Sequence, residues 1–220
     1  MQYEDLRFPV ATALIGVASL LSTTVLAQTT DTPARPADRY VAQLTALNTK
    51  VTESTTAGEA QFEVVGDNLV IDIHVTGAPA SITHWQHFHG LKDGRAAACA
   101  TGADDANKDG IVDVIETGKA SGTTMVPFDN APAAMDVAHG TYPKAAADGS
   151  YFYHRVVPLK DLQTAFGKAF DGQKLQLDHR VVYIHGVPAA TNLPASVASL
   201  GTIPAAVTLP IACGKIERVK

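Results

Sequence analysis

Three histidines stand close together in the segment "SITHWQHFHGLKDGRAAACATG", residues 81–102. His87 and His89 are two positions apart, so in a β-strand their side chains share one face, about 7 Å apart along the backbone. Two imidazoles placed in this way can bind one metal ion. His84 differs in parity from this pair and in an unbroken strand faces the other side. We therefore predict a metal site at His87 and His89, with His84 set apart from it.

A third metal ligand must come from another strand, and His185 is the best placed by pattern. It ends the apolar run "VVYIHG", so it is expected at the mouth of a buried strand. His179, six residues earlier, shares that face if the strand is unbroken and would line the site at a distance. A lone histidine is more often a hydrogen-bonded structural residue than a ligand, and this alternative stays open for His185.

A second candidate metal site lies in "DANKDGIVDVIE", residues 105–116. The segment matches the calcium-loop template D-x-[DN]-x-[DN]-G-x5-E at every fixed position. Gly110 makes the sharp turn, and the expected oxygen ligands are Asp105, Asn107, Asp109, the backbone carbonyl of Ile111, Asp113 and Glu116. A solvated acidic turn is the alternative. The flanking helices of an EF-hand pair are not evident, so we predict an isolated structural calcium loop and not a calcium switch.

The N-terminal sequence predicts export. Residues 8–26 are apolar and uncharged, and "VLAQ" provides a small-residue cleavage pattern after Ala27. We predict a signal peptide over residues 1–27, with an uncleaved anchor as the alternative. A flexible lead-in over 28–39 and one folded domain over 40–220 follow. The protein is then expected to be secreted or periplasmic.

Export bears on the two cysteines of the chain, Cys99 and Cys213. In an oxidising compartment they form an obvious pair, so one disulfide is expected. It would close a loop of more than a hundred residues and tie the segment after the histidines to the last strand. Two buried free thiols are the alternative.

Most of the domain has the period of two that is typical of half-buried strands. A hairpin is predicted over residues 59–77 with a turn at "GDN", and further strands over 150–157, 175–187 and 206–219. Residues 159–170 alone have helical spacing. Many short strands and one short helix predict an all-β fold, a sandwich or barrel of antiparallel strands with long loops at 90–124 and 125–149.

Charge and composition exclude several classes of partner. The formal net charge is −5 and no cluster of Lys or Arg is present, which argues against binding to nucleic acid. After the N-terminal segment no apolar run is long enough to span a membrane, so no membrane partner is expected once the signal is cleaved. Nucleophile-elbow, Walker and dinucleotide-binding motifs are also missing from the sequence.

The motifs "HWQHFHG", "VVYIHG" and "IACGKI" together resemble the copper/zinc superoxide dismutase family, in the same order and at nearly the same spacing. The resemblance covers residues 60–219 as scattered motifs. It implies an eight-stranded Greek-key β-barrel that binds copper through His87, His89 and His185. It also implies a disulfide between the two cysteines, a structural role for His84, and superoxide as the substrate. The sequence does not reveal the oligomeric state, and a homodimer is one that it allows.

The sequence departs from the family in two places. The family supplies its zinc ligands from the loop after the first cysteine, whereas this chain has no histidine between Cys99 and Asp136, so the zinc site is expected to be absent. His139 aligns with the zinc aspartate and is either a fourth copper ligand or a loop residue. The family's arginine, which attracts superoxide beside the copper, is replaced by Pro210.

Two functions are compatible with this pattern. The first is an exported, copper-binding, superoxide dismutase-like oxidoreductase, with weakened activity or none. The second is a non-enzymatic copper- and calcium-binding envelope module, of the chordin type or for metal storage. The paired cysteines favour the first function, while Pro210 and the missing zinc ligands favour the second.

Overall fold

The computed structural model describes residues 38–220. The predicted signal peptide and the lead-in up to residue 37 lie outside the described residues. The strands are β1 (Asp38–Ala46), β2 (Ala57–Val65), β3 (Asn68–Thr76), β4 (Gln86–Gly90), β5 (Thr123–Pro127), β6 (Tyr151–Pro158), β7 (Val181–His185) and β8 (Pro210–Arg218). The helices are α1 (Thr49–Thr52), α2 (Gly118–Ser121), α3 (Leu159–Ala169) and α4 (Ala205–Thr208).

All eight strands belong to one antiparallel sheet, in the order β5-β4-β7-β8-β1-β2-β3-β6, which curls into a half-barrel. β2 and β3 form the predicted hairpin, with its turn at Gly66 and Asp67. α3 is the only helix of the described part that exceeds four residues, and it buries Leu162 and Phe166 as its spacing predicts. The predicted all-β fold of about eight antiparallel strands is therefore confirmed.

Successive side chains of each strand point to opposite faces of the sheet, and this determines which of them fill its interior. Phe88, between the two histidines of β4, is fully buried and packs against Phe62 and Phe128, with ring centroids 5.2 and 4.7 Å away. On β7, Val182 and Ile184 belong to the same apolar core. The histidines beside them therefore point to the outer face of the sheet, where long loops cover them.

The disulfide between Cys99 and Cys213 is formed, as predicted. Cys99 lies in the long connection between β4 and β5, and Cys213 lies in β8. The bridge thus fastens this connection onto the outer face of the sheet, beside the buried side chains of Val181 and Tyr183.

The strand prediction for residues 175–180 is wrong. The segment bends so that its backbone carbonyls can accept hydrogen bonds from the buried guanidinium of Arg180. Its Nε donates to the Leu175 carbonyl at 3.0 Å, and its Nη2 donates to the Lys174 carbonyl at 3.0 Å. Gln176 takes a left-handed conformation, and a short helical turn over Leu177–His179 follows it. β7 therefore begins only at Val181.

The strand predicted over 206–219 is also shorter than expected. Residues 206–208 belong to α4, where the Val207 N–H donates to the Pro204 carbonyl at 2.9 Å. β8 begins at Pro210, which is buried. The helical turn leaves the carbonyl of Thr208 facing the end of β7, where it contacts the ring of His185.

Among residues 38–220, none of the helices combines the length and the apolar character that crossing a membrane requires.

Candidate metal centre

Two neighbouring strands bring three histidines together on the outer face of the sheet. His87 and His89 lie on β4, which pairs with β7 so that His87 is opposite Tyr183 and His89 is opposite Val181. His185 ends β7, and its N–H donates to the Trp85 carbonyl at 2.8 Å. This pairing places the third histidine beside the first.

His87, His89 and His185, hereafter the triad, form a compact group. One ring nitrogen from each lies within 4.8 Å of the others. The ring centroid of His87 is 4.7 Å from that of His185 and 5.5 Å from that of His89. The three residues are only 1 to 3% exposed. The structure therefore brings together the three histidines predicted to bind one ion, in an arrangement that can hold a metal.

Buried nitrogens of the triad lack hydrogen-bond partners among the described residues. Both ring nitrogens of His87, Nδ1 of His89 and Nε2 of His185 are in this position. Leaving a buried polar atom unpaired costs about 1–3 kcal/mol, so native proteins rarely do so without a reason. Four such atoms on three adjacent rings fit a bound metal ion, which accepts a nitrogen lone pair where a protein partner is missing.

Backbone and side-chain oxygens orient two of the rings. Nδ1 of His185 donates to the Thr208 carbonyl at 2.7 Å, which leaves the lone pair of its Nε2 free. Nε2 of His89 lies 3.2 Å from the Thr124 hydroxyl. A ligand histidine whose other nitrogen is held in this way keeps its tautomer and ring orientation fixed.

The electrostatics of the triad keep its rings neutral. Burial holds the pKa of His87 and of His89 well below the usual 6.5, and the neighbouring His185 lowers both further. Burial also lowers the pKa of His185, to about 4, although the Thr208 carbonyl opposes this shift. Neutral imidazole is the form that binds metal, so at neutral pH the triad is already in its binding state.

His84 has a different role, as its parity suggested. It lies outside β4, fully buried, with its ring stacked on Tyr151 at 5.8 Å. Its Nδ1 is 3.0 Å from the His185 carbonyl, and its Nε2 is 2.9 Å from the Pro79 carbonyl. His84 therefore joins the segment before β4 to the backbone of a triad member.

His139 and His179 lie elsewhere. The side chain of His139 is 83% exposed, and its Nδ1 is 2.9 Å from a carboxylate oxygen of Asp136, so it stands in a loop and does not join the triad. Nδ1 of His179 is 2.8 Å from the Gly94 carbonyl. His179 precedes the start of β7, so the shared face expected from an unbroken strand does not arise.

The six predicted calcium ligands lie in one continuous loop, whose backbone amides donate to its own carboxylates. The Gly110 N–H donates to Asp105 at 2.9 Å, and the Asp113 N–H donates to Glu116 at 3.0 Å. Within residues 38–220, the triad is the one group with at least three His, Cys, Asp or Glu ligand atoms inside 4.8 Å of one another. The calcium site therefore stays a prediction.

Three residues near the triad were not predicted from the sequence. Tyr183 shares the face of His185 by alternation, so period two could have revealed it; its ring centroid is 4.7 Å from that of His89. Thr124 and Thr208 carry no comparable signal. They reach the triad only through the pairing of β4 with β5 and through the turn of α4.

Comparison of the chain with protein-family models and with curated proteins found no match in either case.

Proposed function

We propose that the protein binds copper through His87, His89 and His185. The observation that carries this proposal is the convergence of unpaired, buried ring nitrogens from three adjacent histidines. Their pKa values are lowered, so the rings offer lone pairs at neutral pH without first releasing protons. Thr208 and Thr124 hold two of the rings in place.

Copper is favoured over other metals by the donor set and by the family resemblance. Imidazole nitrogen suits both copper and zinc, and among divalent ions of this series Cu²⁺ binds most tightly to a given site. The motifs around the triad resemble those that the superoxide dismutase family uses for copper. When bound, copper supplies one-electron chemistry between its two oxidation states.

A superoxide dismutase-like reaction is the activity that the resemblance implies, with superoxide as substrate. A non-enzymatic copper-binding envelope module is the second candidate. The second candidate is favoured by Pro210, which is buried and supplies no charge where the family's arginine attracts the substrate. Both candidates share the same metal site.

Location outside the cytoplasm is part of the proposal. Disulfides form and persist mainly in oxidising compartments, and the bond between Cys99 and Cys213 supports a secreted or periplasmic protein.

Copper loading of the purified protein tests the metal site and the two candidates together. We expect one copper ion per chain, with an electron paramagnetic resonance spectrum of nitrogen-coordinated Cu²⁺. Faster superoxide decay by the loaded protein would support the enzyme, and bound copper without faster decay would support the binding module. Preferential uptake of zinc from an equimolar mixture would contradict the choice of copper.

We also propose that residues 105–116 bind calcium and thereby stabilise the long connection between β4 and β5. The support is the match to the calcium-loop template and the number of carboxylates in one turn. Asp105, Asp109, Asp113 and Glu116 repel one another unless a cation neutralises them.

Removing calcium should therefore lower the melting temperature of the wild-type protein. At saturating calcium the expected stabilisation is about 3 kcal/mol, which for a domain of this size corresponds to about 6–12 °C. Thermal unfolding with calcium, with magnesium and with a chelator measures the effect. Asp109→Ala should melt at the same temperature in all three conditions. An equal response to the chelator in wild type and variant would count against the site.

A further inference from the structure

The triad opens to solvent through a narrow cavity, and the character of that cavity limits what can reach a bound metal. This inference rests on the proposed copper site. Besides His87 and His185, the lining residues are Trp85, Val114, Thr124, Val137, Leu200 and Thr208. The cavity has a volume of about 20 Å³, which is the space of roughly one water molecule. Only a small molecule can therefore approach the triad.

The entrance is apolar. We use the term mouth for Trp85, Val114, Val137 and Leu200, which contribute only hydrocarbon and indole surface. The two threonines are already engaged with the triad: Thr208 accepts from His185, and Thr124 contacts His89. None of these six lining residues carries a charge. An anion entering the cavity would lose hydration without meeting a cationic side chain on its wall, so only the metal ion itself would offset this cost.

Acidic residues hold one wall of the mouth in place. Leu200 follows a segment anchored by Val197, which is 8% exposed and belongs to the apolar core. The Ser196 hydroxyl donates to Asp109 at 2.6 Å, and the Ala198 N–H donates to Asp113 at 2.7 Å. These hydrogen bonds therefore hold in place the segment that leads to Leu200.

We infer that the metal centre admits small uncharged molecules and excludes inorganic anions, and that Leu200 sets this selectivity. Superoxide is among the excluded anions, so this inference favours the binding module over the dismutase-like reaction. Of the mouth residues, Leu200 is the one whose substitution should disturb the fold least. It is 39% exposed and contributes little to the core, so its side chain can be altered without unfolding the domain. Uncharged diatomic molecules fit both the size and the polarity of the cavity. Removing the Leu200 side chain should open a hydrated path for anions.

The test compares two probes on the copper-loaded protein. Azide is the anionic probe, titrated against the Cu²⁺ form and followed by its charge-transfer absorption and the paramagnetic resonance spectrum. Carbon monoxide is the uncharged probe, added to the reduced form and followed by its infrared stretch. We expect wild type to bind carbon monoxide readily and azide weakly. Leu200→Ala should raise azide affinity about ten-fold or more, with little change for carbon monoxide.

Two further variants sharpen the comparison. Leu200→Lys places a cation at the mouth and should raise azide affinity beyond that of Leu200→Ala. Val65→Ala, at the exposed β2–β3 turn, should leave both affinities at their wild-type values.

Equal azide affinity in wild type and Leu200→Ala would overturn the inference, and so would wild-type protein that binds copper but not carbon monoxide. Protein that takes up no copper would instead overturn the proposed function, and the inference with it.

Discussion

Replacing His87 with leucine is expected to weaken copper binding severely while leaving the metal-free protein at least as stable as wild type. Both ring nitrogens of His87 are buried without a partner among the described residues, so leucine removes no hydrogen bond. An apolar side chain of similar volume instead relieves the penalty of unpaired polar atoms. We expect the free energy of unfolding of the metal-free protein to rise by about 1 kcal/mol.

Copper affinity should fall by more than about 100-fold in His87→Leu, since losing a ligand costs more than losing one of its supporting contacts. Metal analysis after gel filtration measures the copper content, and urea unfolding of the metal-free protein measures the stability. His139→Leu is the matched control. His139 is exposed and pairs with Asp136, so its removal should change neither quantity. Reduced copper uptake in the control would contradict the assignment of copper to the triad alone.

The same substitution at His84 should have the opposite effect on stability. His84→Leu removes both ring contacts to buried carbonyls, those of His185 and Pro79. An imidazole with one N–H donates to one of these carbonyls, and leaving that carbonyl unpaired should lower the free energy of unfolding by about 1–3 kcal/mol. A stability loss at His87 equal to that at His84 would mean that His87 is an ordinary core histidine, and would contradict the metal site.

The contrast between these histidines indicates what a sequence can reveal about this site. The His-x-His spacing predicts two imidazoles on one face of β4. Phe88, between them, packs into the apolar core, so the two histidines must point to the other face of the strand. His185 follows from its position at the end of an apolar strand. Local periodicity is sufficient for these three residues because β4 and β7 pair with each other in constant register. The register shifts next to the triad lie in the pairing of these strands with their other neighbours, β5 and β8.

Periodicity fails where distant contacts determine the backbone. Apolar and polar residues alternate over 175–180 as they would in a strand. The chain bends there instead, because the carbonyls of residues 174 and 175 accept hydrogen bonds from the guanidinium of Arg180. Nothing local in the sequence places Thr208 against His185, or Leu200 over the triad. Thr208 and Leu200 both lie in loops that are held by contacts with residues far away in the sequence. One such contact is the hydrogen bond from the Ala198 N–H to Asp113.

Removing the disulfide is expected to cause the largest loss of stability. The cysteines are 114 residues apart, and a cross-link over a loop of this length reduces the entropy of the unfolded chain considerably. The chain-entropy model gives about 5 kcal/mol as an upper value, and measured losses for native bridges are about 2–5 kcal/mol. Cys99→Ala combined with Cys213→Ala should therefore unfold at a much lower urea concentration than wild type.

The bridge should also affect the metal site, because Cys99 anchors the connection that covers it. The Ala100 N–H donates to the Tyr183 hydroxyl at 2.9 Å, and the Tyr183 ring packs against His89. Without the bridge this cover is held only by hydrogen bonds and packing, so copper should dissociate faster from the double variant. Reducing agent should destabilise wild type to the level of the double variant and leave the variant unchanged. Indistinguishable unfolding of oxidised and reduced wild type would show that packing alone holds the connection against the sheet.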